Sequence, residues 1–325
     1  MMRTLLTCRR QTILTCTLLF CGSTLWSQSN VRQQLDRAEQ LEQQSLFAKV
    51  IEEIPQLISS NRLDNAELGR ALVLLGFAYQ ELGEFMQARR AYERALPLLL
   101  DHQAPSAEYA AALESLADLY QNMGNVTVAI GMDRKALALY ERTQLHGAVA
   151  RSCANLAGLE LSEGHRKDGS KYLTRAVEEA KSAKDLDEDF FAAVSSTQAW
   201  LARLDGDTAA EVTGYQRALD LWAQKHGDEH MLTGWGYMLL GGAQLQDGRN
   251  SVALDDMRRG LGILSRTVGS ASPKYIVGEL AYSRALDGTG SHEEATRLKH
   301  EAEGALTDLN HKQCVNCSIS VVAFQ

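Results

Sequence analysis

Two histidines flank a carboxylate in the pentapeptide His226-Gly227-Asp228-Glu229-His230. In the order His-x-x-Glu-His, two imidazoles could hold a zinc ion while Glu229 acts as general base for peptide hydrolysis. That chemistry needs all three side chains on one helical face. Here Gly227 and Asp228 occupy the middle, the register of the flanking sequence puts the segment between two helices, and no third ligand is apparent downstream. The competing reading is a connecting loop with surface histidines. A second candidate is the pair Cys314 and Cys317, spaced C-x-x-C. Redox-active pairs of this spacing sit at a helix N-terminus that stabilises the thiolate. This pair follows a helical stretch near the chain end, lacks the trailing His of a haem attachment site, and cannot close a four-ligand zinc site alone. A local disulfide or two free thiols is the expectation. Cys153 is expected at a buried position far from that tail. Gly288-Thr289-Gly290 is not followed by the Gly-Lys-Ser/Thr of a phosphate loop. No catalytic residue, metal or cofactor is therefore expected.

The elements that would carry any site must be helices. Of 325 residues, 45% are hydrophobic, only four are proline and 6% are aromatic. Ala, Leu, Glu and Arg are abundant, which favours an all-α protein. The net charge of −8 offers no basic stripe for a nucleic acid. The N-terminus differs in kind. Arg3, Arg9 and Arg10 precede an apolar run from Thr12 to Trp26, the charged-then-apolar order of a secretory signal. The run is short for a membrane span of roughly 20 residues. The expectation is an exported protein, periplasmic or extracellular, with residues 1–27 as signal peptide; an uncleaved signal anchor tethering the chain to the membrane is the alternative. Cleavage takes the charge from −8 to −11, and no membrane span is expected after it.

Six windows of the remaining chain align. Gly83, Gly124, Gly164, Gly206, Gly248 and Gly290 recur at intervals of 41, 40, 42, 42 and 42 residues, a period that signals a solenoid. Seven residues before each glycine stands a small residue: Gly76, Ala117, Ala157, Ala199, Gly241 and Ser283. Twelve residues after each stands another: Ala95, Ala136, Ala176, Ala218, Gly260 and Ala302. Each unit reads as helix, turn, helix, with glycine permitting positive φ at the turn. The spacing predicts that Gly76 faces Ala88 so that the two backbones approach closely, and that Ala95 admits the first helix of the next unit. Glu211 breaks an alanine column and Lys299 an aromatic one; both units are expected to pack more loosely, or Glu211 to face solvent through a register change. Residues 28–60 read as a degenerate capping unit whose turn carries Ser45, followed by a loop at Asn61–Ala66. Residues 61–310 hold the six units and 311–325 a short extended tail.

Leu75, Gly76, Tyr79, Gly83, Ala88, Tyr92 and Ala95 resemble the tetratricopeptide repeat, and Leu116, Ala117, Tyr120, Gly124, Ala129 and Ala136 repeat the match. The period near 42 resembles the kinesin-light-chain-type subclass, whose inter-repeat loops are similar to Gly227–His230 and Gly269–Pro273. The resemblance implies a right-handed superhelix whose first helices line a concave groove. Carrying the family's groove columns across picks out Gln80, Asn122, Arg151, Asn155, Trp200, Arg203, Trp235 and Arg284. Trp and Arg together suit an interface, although Trp200 and Trp235 could equally pack between helices. The function implied is a non-catalytic scaffold holding a peptide or protein segment in the groove. An envelope zinc peptidase built on His226, Glu229 and His230, and a self-assembling array, are the alternatives.

Overall fold

The computed structural model describes residues 30–100 and 106–313, apart from the side chains of 310–313. These residues form fourteen helices and no strand. They are α1 (residues 30–43) and α2 (Phe47–Ser59), α3 (Asn65–Glu81) and α4 (Phe85–Leu99), α5 (Ala107–Asn122) and α6 (Val126–Thr143), α7 (His146–Ser162) and α8 (Arg166–Ala180). Then follow α9 (Glu188–Asp205) and α10 (Thr208–His226), α11 (Met231–Gln246) and α12 (Asn250–Thr267), and α13 (Pro273–Gly288) and α14 (His292–Gln313). Each odd-numbered helix packs on the even-numbered helix after it, giving seven consecutive pairs in a tetratricopeptide-type solenoid. The extended tail expected over residues 311–325 is helical at 311–313, where α14 runs on to Gln313; the rest of it, with Cys314 and Cys317, and the expected signal segment lie outside the described residues.

The small-residue columns do set the packing, with one change of partner. All six turn glycines adopt positive φ, between 76° and 94°, and each ends the first helix of its pair. Gly76 makes room for the ring of Tyr92 rather than for Ala88: a β-carbon there would stand 2.6 Å from the ring. Tyr92 is fully buried by this arrangement. Ala95 packs with Leu72, Leu99 and Ala112, the last from the next pair, so this gap does admit the following helix. The first pair reverses at Ser45, whose φ is 57° without glycine's freedom.

Two local expectations are corrected, those for the loop and for Glu211. The loop predicted over Asn61–Ala66 ends earlier. The Asp64 side chain accepts from the Glu67 amide at 2.8 Å while Glu67 accepts from the Asp64 amide at 3.1 Å. This capping box starts α3 at Asn65. Glu211 does not face solvent; it is fully buried, with Arg203 Nε 4.0 Å away as counter-charge. Lys299 is exposed and lies 3.9 Å from Glu303 one turn along α14, so its column position carries no core load.

The solenoid meets itself after five pairs. The turn of the first pair touches the start of α11, where the Met231 amide donates to Ser45 Oγ at 3.4 Å. The turn of the second pair touches the start of α13, where Lys274 Nζ donates to both Glu81 oxygens at 2.8 and 2.7 Å. Apolar contacts seal both seams: Val31, Leu35 and Phe47 share a core with Met231 and Met238, and Phe85 and Leu119 share another with Ile276 and Leu309. The expected concave groove is thus closed round into a lumen that stays open to solvent. Gly83 sits in the second seam, where a β-carbon would lie 2.9 Å from the Ala271 carbonyl oxygen and 3.3 Å from Pro273 Cδ. Gly164 has nearly the same φ, 77°, and open space around it. Gly164→Ala should therefore cost about 1 kcal/mol for the left-handed backbone, and Gly83→Ala about 2–3 kcal/mol because the seam must also shift. Urea titrations check this, and equal losses would mean the seam is not tight.

Candidate functional site

The lumen contains a cavity of about 430 Å³. It is lined from six helices: Phe77, Gln80 and Glu81 of α3, Asp118, Gln121 and Asn122 of α5, Ser162 of α7, Trp200 of α9, Met231, Leu232 and Trp235 of α11, and Pro273, Lys274 and Val277 of α13. These are the first helices of consecutive pairs, so the repeat itself delivers one side of each to the same space. Trp200 is half-buried at the cavity wall. Trp235, also half-buried, additionally packs against three apolar cores and ties the wall to the scaffold. Gln80 is held from behind by the Tyr92 hydroxyl at 3.3 Å.

The wall around α5 is acidic. Glu81 has its counter-ion in Lys274, and its side chain is only 2% exposed. Asp118 is open to the lumen, yet the loss of surrounding water raises its carboxyl to about 6, against the help of Lys274 and with a further push from Glu81. One turn earlier, Glu114 is raised to about 7 by desolvation even though Ser152 and Tyr140 donate hydrogen bonds to it. Glu42 reaches about 7 through desolvation and the charges of Glu39 and Glu81. Behind this wall, Asp133 of α6 is fully buried with no hydrogen-bond partner on either oxygen. Desolvation, then the charges of Asp118 and Glu114, push its carboxyl up to about 9.

Of the eight residues that sequence reasoning placed in the groove, Gln80, Asn122, Trp200 and Trp235 come together in this cavity. Arg203 and Arg284 line a second one of about 290 Å³, formed by the later turns of α9, α11 and α13 together with Asn250 and Met257 of α12. Arg203 is also drawn to the buried Glu211. Arg151 braces the loop before α9, donating to Asp187 Oδ1 at 3.2 Å and to the Asp185 carbonyl at 3.1 Å. Asn155 is exposed on α7 and lines neither cavity. Asp118, Glu81, Lys274 and Phe77 were not anticipated. Asp118 lies one helical turn before Asn122 on the same face, a spacing that could have revealed it. Lys274 carried no such signal, since its partner is 193 residues away.

The His226–His230 segment takes a different role from zinc chemistry. His226 ends α10 and His230 caps α11, accepting from the Leu232 amide at 3.2 Å. Their rings stack 4.1 Å apart with planes 12° from parallel. Imidazole lone pairs lie in the ring plane, so nearly parallel stacked rings cannot both aim at one ion about 2.0 Å from each. His226 Nε2 is bonded to Asp189 at 2.7 Å. Glu229 is turned to Arg266, 2.5 Å away. Burial, then the neighbouring His226 charge, lowers His230 to about 4. Among the described residues, no group of three or more His, Cys, Asp or Glu is placed to hold a metal ion. Purified protein is expected to contain no stoichiometric zinc by elemental analysis; one zinc per chain, lost in His226→Ala, would contradict this reading.

Seven consecutive helical pairs, six of them lining a lumen, define the class: this is a tetratricopeptide-type repeat solenoid. Solved structures agree at the level of fold. A Rap conjugation gene regulator of plasmid pLS20, in complex with the Phr* peptide, has a TM-score of 0.67 at 14% identity, over 87% of this chain and 75% of that one. The apo form of RapI has a TM-score of 0.60 at 13% identity, over 86% and 99%. A Rap protein complexed with Competence and Sporulation Factor has 0.58 at 13% identity, over 87% and 99%. The sequence itself matches no protein-family model and no curated protein. Among the described residues no helix is long and apolar enough to cross a membrane.

Proposed function

We propose that this protein is a binding scaffold without catalysis of its own, which holds a peptide or protein segment in the lumen of the solenoid. The observation that carries the reading is the cavity in which six successive first helices bring together half-buried tryptophans, amides and one unshared carboxylate, Asp118. Apolar walls with a few convergent polar groups are what a bound segment requires, and aromatic side chains supply much of the energy at such sites. Gln80 and Asn122 would contact the segment's backbone, and Trp200 and Trp235 its apolar side chains. The solved Rap structures with Competence and Sporulation Factor and with the Phr* peptide offer a precedent for ligands on this fold. Kinesin-light-chain-type repeats of about 42 residues describe the unit, and the sequence of residues 1–27 supports export to the cell envelope.

Crosslinked capture from an envelope extract tests this, with residues 28–325 as bait and Asn122→Ala/Trp200→Ala as control. These two positions line the cavity without anchoring a core, so the control is expected to keep the parent's melting temperature. A partner captured by the parent and lost from the control supports the lumen as the site. Identical captures would move the binding surface elsewhere, and concentration-dependent self-association without capture would favour a structural array.

A further inference from the structure

Granted that a bound segment occupies the lumen, the reading on which this inference rests, the site has a chemical preference of its own. Lys274, the one cation among the residues lining the cavity, is hydrogen-bonded through Nζ to both oxygens of Glu81 and so is committed within the wall. Asp118 gains from the charge of Lys274 but is not bonded to it. Glu114 stands one turn away on the same helix, and Glu42 and Glu81 complete an acidic surround. The independent observation is geometric: Asp118, the one lining carboxylate without a bonded cation, opens into the same cavity as the rings of Phe77, Trp200 and Trp235. Asp133, 0% exposed behind this wall, is raised to about 9 and is uncharged at neutral pH, so the negative potential of the cavity is that of Asp118 and the carboxylates beside it.

Facing this potential are the aromatic surfaces of Phe77, Trp200 and Trp235. Aromatic faces beside an unshared carboxylate favour a cation, through the ring quadrupole and a charge-assisted hydrogen bond. An acidic ligand would be repelled, and a neutral one would strip water from Asp118 without replacing it. We propose that the lumen takes the guanidinium or ammonium group of an arginine or lysine side chain of a partner segment, seated against Trp200 and Trp235 with Asp118 as its counter-ion.

The test is retention of capped heptapeptide libraries on the immobilised protein, with the central residue fixed as Arg, Lys, Gln or Glu and retained peptides counted by mass spectrometry. Arg- and Lys-centred peptides should be enriched roughly tenfold over Glu-centred ones, the effect of one charge-assisted hydrogen bond. Asp118→Asn should abolish the preference, Asp118→Glu should keep it, and Trp200→Ala should lower retention of every library. Retention that depends on Trp200 but ignores the central charge would overturn this inference and leave the lumen as a peptide site. Enrichment of Glu-centred peptides would overturn it in favour of Lys274. Cationic enrichment that survives both Asp118→Asn and Trp200→Ala would reduce it to attraction by the net charge of −8. No retention of any library would overturn the peptide reading together with the inference.

Discussion

Replacing Lys274 by methionine should lower the unfolding free energy by about 3 kcal/mol and loosen the seam between the second pair and the last. Glu81 is 2% exposed and Lys274 26% exposed at its side chain, so the pair is taken largely out of water. Removing the cation leaves Glu81 without its counter-ion beside Asp118 and Glu42, whose own carboxyls it already raises. Breaking a buried pair costs far more than replacing both members with apolar or neutral groups. The double variant Glu81→Gln/Lys274→Met should therefore recover most of the loss, and urea titration reads both. Small-angle scattering should show a larger radius of gyration for the single variant. An equal loss in the double variant would mean that the contact of Gly83 with Ala271 and Pro273, not charge, sets the seam.

Asp133→Leu should stabilise the protein by roughly 2–4 kcal/mol at pH 7.5, the reverse of an ordinary core substitution. A fully buried carboxyl with two unpartnered oxygens is unfavourable in either protonation state. Its folded value of about 9 lies far above the value near 4 of an unfolded chain. A carboxyl raised in this way contributes its full stability below pH 4 and loses it as pH climbs toward 9, so the gain in Asp133→Leu should shrink on acidification. Glu42 and Glu114 at about 7 and Asp118 at about 6 act in the same direction. The opposite sign comes from His230, held by burial at about 4, whose contribution falls away below pH 6.5, and from Asp187: against the push of burial, the hydrogen bond from Lys225 and the charge of Arg151 hold it at about 2. Its contribution is lost as pH falls from about 4 toward 2. The parent protein should be most stable near pH 4–5, and a stability maximum above pH 8 would contradict the buried acidic wall.

The fold was legible because each pair repeats a local rule. Gly83 and its five counterparts end a helix, Gly76 and its column accept a ring or a neighbouring helix, and Ala95 admits the next pair; all act within one repeat or between adjacent ones. Asp64 and Glu67 even held the start of α3 as a readable capping box. What the sequence did not disclose depends on contacts made at long range. Ser45 and Met231 lie 186 residues apart, and Glu81 and Lys274 lie 193; no periodicity indicates that these pairs of turns meet. The conversion of groove to lumen was therefore hidden, and with it the commitment of Lys274. Half the groove columns converge because closure of the solenoid brings the ends of α3 and α5, carrying Gln80 and Asn122, to the start of α11, carrying Trp235, with Trp200 of α9 beside them. Arg151 is diverted because Asp187 and the Asp185 carbonyl lie within its reach, a loop detail outside the repeat register.

Where a partner sits, inside the solenoid or on its outer face, is the central question. A photo-crosslinking residue placed at Asn122, on the lumen wall, and separately at Val252, 49% exposed on α12, distinguishes the two. Illumination in envelope extract should give an adduct from position 122 and none from 252, and the adduct should map to a segment carrying arginine or lysine. An adduct from 252 with none from 122 would place the partner outside the solenoid and contradict the lumen as the binding site.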